Sequence, residues 1–122
     1  MKIRIKGNSL RYRLTKSEVA TFSEKGYLAE KTLFPTQTLV YALQAKADID
    51  NLAADFSDNV ITLFFPESEK VKWHESNQVG YQNTFVLPNG DTLFLLIEKD
   101  FVCLDNTFED QSDNYDNPNA VC

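Results

Sequence analysis

Hydrophobic and polar residues alternate strictly at residues 2–6 and again at residues 10–14. A period of two is typical of β-strands that bury one face. The Gly7-Asn8 dipeptide between the two runs favours a two-residue hairpin turn. The sequence therefore predicts an N-terminal hairpin with one apolar face directed to the core. The opposite face carries five basic residues, which are Lys2, Arg4, Lys6, Arg11 and Arg13.

The two-residue turn would place like charges opposite one another in this hairpin. Arg4 would face Arg11, and Lys2 would face Arg13. Like charges in directly opposed positions destabilise a β-sheet. This register therefore requires a negatively charged partner, whereas a wider turn or a bulge at Gly7 would remove the opposition.

Two short helices are predicted, one in each half of the chain. Thr15 and Glu18 have the spacing of a capping box at a helix start, and Gly26 is typical of the residue that ends a helix. The second helix is predicted to begin at Pro66 and to end near Glu75. Acidic residues occupy its first turn, where the helix dipole favours them.

The remaining apolar segments are predicted to be strands. Residues 27–34 and 38–44 alternate around a short turn. The continuous apolar runs at residues 60–65 and 92–97 are typical of central strands buried on both faces. Asn89-Gly90 predicts a hairpin turn just before the second of these runs.

The order of these elements predicts an α+β domain over residues 1–104. We expect a largely antiparallel, curved sheet of six to eight strands with two short helices, and no internal repeat. Residues 45–51 are polar and small, so they are predicted to be a loop or a short irregular strand. Residues 105–122 form an acidic tail, which we expect to pack back on the domain.

Composition and charge narrow the class of protein. The chain has 122 residues, of which 43% are hydrophobic, and this suffices for one folded domain. Its net charge of −6 argues against general binding to nucleic acid or to an anionic membrane. The sequence has neither a membrane-spanning apolar stretch nor a signal-peptide pattern, so we expect a cytoplasmic protein.

The five basic residues of the hairpin are the first candidate site, because arginine binds carboxylate or phosphate through two parallel hydrogen bonds. Glu98 and Asp100 are candidate acid or metal partners, or they mark the end of a strand and pair with the basic residues. Because the chain begins basic and ends acidic, we favour neutralisation within the chain over an open anion site. Simple solvent exposure is the third interpretation.

A metal site has weaker support. His74 is the only histidine, and we predict that it lies on the surface of the second helix. Cys103 and Cys122 could join it as zinc ligands, but the spacing typical of such sites is absent. Both cysteines are expected to be reduced thiols in the cytoplasm. The scattered glycines do not form a phosphate-binding loop, so we predict neither a metal nor a cofactor.

Three segments of the chain resemble a family of small, functionally uncharacterised bacterial proteins. They are KIRIKGNSLRYRLTKSEV at the start, TLVYAL in the middle and LIEKDFVCL near the end. The resemblance spans essentially the whole chain and implies a stand-alone domain, without an activity, cofactor or partner. The signature positions that it implies are Gly7, Asn8, Ser9, Arg11, Arg13, Thr15, Glu18, Glu98, Lys99, Asp100 and Cys103.

A more distant similarity concerns the triphosphate tunnel enzymes, whose antiparallel strands carry inward basic residues. The alternating basic residues of the N-terminal hairpin are the basis of this similarity. The present chain lacks the E-x-E-x-K motif with which those enzymes begin, and it is short for a tunnel.

Together these features favour a non-enzymatic binding or interaction module, whose basic hairpin is neutralised by its own acidic segment or by an acidic partner. The alternative is an anion-binding domain or a phosphate-handling enzyme. In that case Arg4, Arg11 and Arg13 would clamp the anion, and Glu98 and Asp100 would hold a metal or act as base. The expected partner is a protein or a small anionic ligand, and neither nucleic acid nor a membrane is expected.

Overall fold

The computed structural model describes residues 1–101 and 112–116 of the chain. These residues form eight strands and two α-helices, so the predicted α+β class with two short helices is confirmed. Within them, no helix combines the length and the apolar content that crossing a membrane requires. The elements in chain order are β1 (Lys2–Ile5), β2 (Ser9–Leu14), α1 (Lys16–Lys25), β3 (Tyr27–Leu33), β4 (Thr38–Lys46), β5 (Ala53–Ser57), β6 (Val60–Pro66), a 3₁₀ turn (Glu67–Glu69), α2 (Lys70–Glu75), β7 (Gly80–Val86) and β8 (Thr92–Lys99).

The strands form two four-stranded sheets that have the same topology. Sheet A has the order β1-β2-β8-β7, and sheet B has the order β3-β4-β6-β5. In each sheet two antiparallel hairpins are joined by a parallel pair of inner strands, β2 with β8 and β4 with β6. The largely antiparallel character is confirmed, and β6 and β8 are central as predicted.

The prediction of a single curved sheet was wrong. The strand count lies within the predicted range, but the strands are divided equally between two sheets. The division follows from the parallel pairs, which connect segments that are distant in sequence, such as Ser9 with Phe94. Apolar periodicity and turn residues predict local hairpins, but they do not specify which hairpins pair with one another.

The two halves of the chain repeat one order of elements. Each half is a β-β-α-β-β unit, and each unit contributes one hairpin to each sheet. The expectation of no internal repeat was therefore wrong for the structure. A repeated fold requires only a repeated apolar pattern, because different apolar residues can fill equivalent core positions.

The largest differences from the predicted strands lie in sheet B. Strand β4 continues to Lys46, and β5 is an additional strand over Ala53–Ser57. The short β5 lies at the edge of sheet B, and its sequence has little of the apolar alternation that identifies a strand.

The N-terminal hairpin has the predicted two-residue turn. Lys6 and Ser9 exchange backbone hydrogen bonds of 3.2 and 3.1 Å, and Gly7 adopts the left-handed conformation with φ of 53°. Arg4 consequently pairs with Arg11 in the predicted register. The hairpin therefore contains the opposed like charges that require a negatively charged partner.

Helix α1 begins where the sequence predicted, whereas α2 begins at Lys70, after a 3₁₀ turn, and not at the predicted Pro66. In α1 the Thr15 Oγ1 accepts a hydrogen bond from the Glu18 backbone N–H, and the Glu18 carboxylate accepts one from the Thr15 N–H at 2.9 Å. This is the predicted capping box, and Gly26 ends the helix with φ of 72°. The second helical segment starts after Pro66 without a side-chain cap and ends at Glu75.

The core lies between the inner faces of the sheets and includes side chains from both helices. Phe65 of β6 is fully buried, and its ring centroid lies 5.4 Å from those of Phe22 and Trp73 and 5.0 Å from that of Tyr81. Burial of one such aromatic side chain stabilises the fold by about 2–3 kcal/mol. The aromatic contacts thus join both helices to both sheets.

Tyr12 connects the sheets by hydrogen bonds. Its hydroxyl group, which belongs to β2 of sheet A, donates to the carbonyl oxygens of Ala42 at 2.9 Å and Ile61 at 3.2 Å in sheet B. Burial raises the pKa of Tyr12 well above its ordinary range. The neutral hydroxyl is therefore the form that the fold stabilises.

Candidate functional site

The outer face of sheet A carries the predicted basic residues. In β2 the side chains of Leu10, Tyr12 and Leu14 are buried, so the intervening Arg11 and Arg13 point away from the core. Cross-strand pairing places β1 residues on the same outer face. We define the basic face by its five cationic residues, which are Lys2, Arg4, Lys6, Arg11 and Arg13.

Glu98 is the carboxylate that contacts both outer arginines of β2. Its Oε1 accepts hydrogen bonds from Arg11 Nε and Arg13 Nε, each at 2.8 Å, and Arg11 Nη2 lies 2.6 Å away. The Glu98 side chain is only 17% exposed, so these charged hydrogen bonds are partly shielded from water. One carboxylate thus provides the negative charge that the register of the hairpin requires.

Asp100 provides a second carboxylate at the edge of the basic face. It is 4% exposed, and its Oδ2 lies 2.8 Å from Lys2 Nζ. This contact is an ion pair without good hydrogen-bond alignment, because Oδ2 accepts no hydrogen bond within the described residues. The Asp100 backbone N–H donates to Leu14 O at 2.8 Å, which holds the residue beside the end of β2.

Arg4 and Lys6 differ from the other cations of the basic face. Both are exposed, and neither forms an ion pair with another residue in the described ranges. Together with Arg11 they border a depression of about 220 Å³, which Phe94 and Leu96 also line. Phe94 is 37% exposed, so this depression combines a basic rim with an accessible apolar surface.

Part of the acidic tail contacts α1. The carbonyl oxygen of Asp113 accepts a hydrogen bond from Lys16 N–H at 3.0 Å, and its carboxylate accepts hydrogen bonds from Ser17. The hydrogen bond from the Ser17 side chain is the main cause that lowers the pKa of Asp113. Among the described residues, the carboxylates that contact the basic face are therefore Glu98 and Asp100, and Asp113 contacts the helix instead.

Of the remaining candidates, the structure describes only His74, which lies apart from the basic face. His74 is exposed on α2, whereas Cys103 and Cys122 lie outside the described residues. In residues 1–101 and 112–116, no group of three or more His, Cys, Asp or Glu side chains is arranged to hold a metal ion.

Two residues near Glu98 were not identified by the residue pattern. Gly80 lies opposite Glu98 in the β7–β8 pair, and a Cβ atom added there would lie 2.1 Å from the Ile97 carbonyl oxygen. Lys99 follows Glu98 but points to the inner side of the strand and is 5% exposed. A glycine inside a strand and a lysine at a core-facing position were the available signals.

The fold and the basic face define a small α+β domain with a candidate anion-binding surface. The chain belongs to a family of unknown function, DUF7009, which matches residues 1–119. This match confirms the resemblance to an uncharacterised family. No curated protein and no solved structure matches the chain. A functional assignment therefore depends on the geometry and charge of the surfaces described above.

Proposed function

We propose that the protein is a non-enzymatic binding module whose basic face takes up an acidic segment of a partner protein. The supporting observation is the position of Arg4 and Lys6, which are exposed and have no carboxylate partner within the described residues. The chain as a whole has a net charge of −6. A local basic surface on an acidic protein would attract acidic partners. The net negative charge of the molecule would at the same time disfavour association between its own copies.

The shape of the basic face supports a peptide more than a small free anion. The depression beside Arg4 and Lys6 has a volume of about 220 Å³, which is below the ~300–1,000 Å³ typical of small-molecule pockets. Phe94 and Leu96 would contact an apolar side chain of the partner, while the cations would contact its carboxylates. Such a surface combines apolar contact with electrostatic complementarity.

The ion pairs of Glu98 and Asp100 favour a binding module over a phosphate-handling enzyme. A metal-dependent or base-catalysed mechanism would need Glu98 and Asp100 to be open to a metal ion or a substrate. Glu98 already bridges Arg11 and Arg13, and Asp100 is buried beside Lys2. We therefore assign both carboxylates to the structure of the basic face.

Peptide titration by calorimetry tests this proposal. The probe is a synthetic peptide of glutamate residues with one central phenylalanine, and the same peptide with lysine in place of glutamate is its charge control. We expect the acidic peptide to bind and the basic peptide not to bind. The combined change Arg4→Ala and Lys6→Ala should weaken binding by about tenfold, because two charge contacts are removed. Added salt should weaken it as well.

Matched variants separate a specific face from general charge attraction. Lys31→Ala combined with Lys46→Ala removes two exposed cations from sheet B and should change the affinity by less than about twofold. An equal loss in both double variants would contradict the proposal. If tripolyphosphate binds more tightly than the peptide and Phe94→Ala has no effect, the face is a small-anion site instead.

A further inference from the structure

A cavity of about 550 Å³ lies where the end of α2 meets β8 and residues 112–116. Its lining includes Lys16, His74, Lys99, Tyr115 and Asp116. This volume lies within the ~300–1,000 Å³ typical of small-molecule pockets. Lys99 lines this cavity while the preceding Glu98 belongs to the outer face of sheet A, because consecutive side chains of a strand point to opposite sides. The cavity is therefore separate from the basic face.

Lys99 is the central feature of this cavity. The residue is 5% exposed, and its ammonium donates a hydrogen bond to Ser76 O at 2.8 Å and lies 5.2 Å from the centroid of the Tyr115 ring. Within the described residues it forms no ion pair with a carboxylate. An ammonium group has three N–H donors, and a buried charge without a counterion is unfavourable. Desolvation by burial accordingly lowers the pKa of Lys99.

The repeat within the chain provides a reference for this position. Lys99 pairs with Leu14, the residue just before the cap of α1, and Ala45 pairs with Phe65 at the equivalent place in sheet B. The backbone N–H groups also correspond, since Lys99 donates to Val79 O at 2.9 Å and Ala45 donates to Gly26 O at 2.8 Å. The fold therefore accepts an alanine where the cavity has a buried lysine.

The cavity beside Ala45 has a different charge arrangement. It has a volume of about 530 Å³, and Lys25, Lys70 and Glu67 are among its lining residues. Lys70 Nζ lies 2.8 Å from Glu67 Oε1, so this cation is neutralised within the chain. Of these two cavities, the one at Lys99 has a buried ammonium that no carboxylate contacts among the described residues.

We propose that the cavity at Lys99 binds a small organic carboxylate with an apolar or aromatic body. The carboxylate would accept a hydrogen bond from the Lys99 ammonium. Lys16 and Asp116 also line the cavity and carry opposite charges, so Lys99 is the cation that the ligand would neutralise. Val79, Phe101 and Tyr115 provide apolar surface for the body of the ligand. A bound carboxylate would give the buried Lys99 ammonium the counterion that it lacks among the described residues, and hydrogen bonds between charged groups are stronger than neutral ones.

Benzoate and benzamide test the proposal as a charged and a neutral probe of the same shape. Backbone amide NMR spectra of isotope-labelled protein should show saturable shifts at Ser76, Lys99 and Tyr115 on addition of benzoate. Benzamide should bind at least about tenfold more weakly, because it lacks the charge that Lys99 recognises. Equal affinities of the two probes, or no saturable shifts at these residues, would overturn the proposal.

Lys99→Met removes the charge while keeping a long apolar side chain in the buried position. We expect a loss of benzoate affinity of about tenfold or more, whereas Lys70→Met in the equivalent cavity should change it by less than about twofold. An unchanged affinity in Lys99→Met would contradict the proposal. If this variant does not fold, the pKa of Lys99 in the unmodified protein is measured from its side-chain NMR signal with and without benzoate. Bound benzoate must raise this pKa, because a carboxylate stabilises the charged ammonium. An unchanged pKa would refute the contact.

Discussion

Sheets A and B share one strand order and one pairing scheme, but their outer faces differ in chemistry. Arg13 of sheet A pairs with Glu98, whereas the equivalent pair in sheet B is Phe64 with Gln44. The inner faces must both fill a common apolar core, so they are constrained in the same way. The outer faces have no such common constraint. The two-sheet fold therefore does not require the charges on the outer face of sheet A.

Among the changes that test this difference between the sheets, replacement of Gly80 by alanine should cause the largest loss of stability. Gly80 has its equivalent in Tyr27, since these residues pair with Glu98 and Gln44, respectively. A Cβ at Gly80 would lie 2.1 Å from Ile97 O, so β7 would have to move away from β8. We expect a loss of about 3 kcal/mol in the free energy of unfolding. Urea denaturation followed by Trp73 fluorescence measures it.

Tyr27→Ala is the matched control for Gly80→Ala. Tyr27 is exposed at the equivalent place in sheet B, and its truncation should change the stability by about 0.5 kcal/mol or less. If Gly80→Ala is as stable as the unmodified protein, β7 can adjust freely. In that case the close approach of β7 to β8 is not a distinguishing feature of sheet A.

Glu98→Gln should cause the next largest loss of stability. The change leaves Arg11 and Arg13 without the carboxylate that both contact, and the opposed arginines of the hairpin then repel one another. We expect a loss of about 2 kcal/mol, the magnitude typical of hydrogen bonds to charged groups. Urea denaturation at low and at high salt measures it, and salt should reduce the difference because it screens the repulsion.

The converse change in sheet B, Gln44→Glu, is the control for Glu98→Gln. Gln44 is exposed, and its partner Phe64 carries no charge, so we expect a change of about 0.5 kcal/mol or less. Similar stabilities of Glu98→Gln and the unmodified protein would mean that the arginines of sheet A need no internal counterion.

Tyr12→Phe should cause the smallest of the three losses of stability. It tests the hydrogen bonds that connect sheet A to sheet B. The equivalent position in sheet B is Leu63, which has no hydroxyl. Loss of the hydrogen bonds from Tyr12 to Ala42 and Ile61 should reduce the stability at neutral pH by about 1 kcal/mol. Urea denaturation measures this loss.

The pH dependence provides a second readout for Tyr12. Burial raises its pKa in the folded state, so its stabilising contribution is complete below the unfolded pKa of about 10 and is lost as the pH rises above it. Tyr12→Phe should therefore lose less stability than the unmodified protein between neutral and strongly alkaline pH. Tyr27→Phe, which changes an exposed tyrosine, serves as control, and equal pH slopes for Tyr12→Phe and the unmodified protein would contradict the assignment.

Local features of the fold were predictable because neighbouring residues determine them. The turn at Gly7 and the capping box of Thr15 and Glu18 each depend on only a few residues, and the structure has both. The need for a negative partner of the hairpin also followed from its register alone. The identity of that partner did not follow, because the acidic tail and the pair Glu98 and Asp100 were both available.

The candidate sites depended on contacts that no local pattern describes. Glu98 reaches Arg11 and Arg13 only because β8 lies parallel to β2. Lys99 occupies a core-facing position of β8, but its burial results from packing against Ser76 and Tyr115, which the sequence does not show. Neither contact has a signature in the spacing of residues along the chain.

By itself, the sequence determined three of the four hairpins, the start and end of α1, the apolar inner strands and the α+β class. These features arise from turn conformations, caps and apolar periods that act over a few residues. Only the tertiary structure decided the division into two sheets, the pairing of Glu98 with the basic face and the burial of Lys99. Those outcomes depend on the parallel pairing of β2 with β8, which brings the two ends of the domain together and is favourable only once the common core has formed.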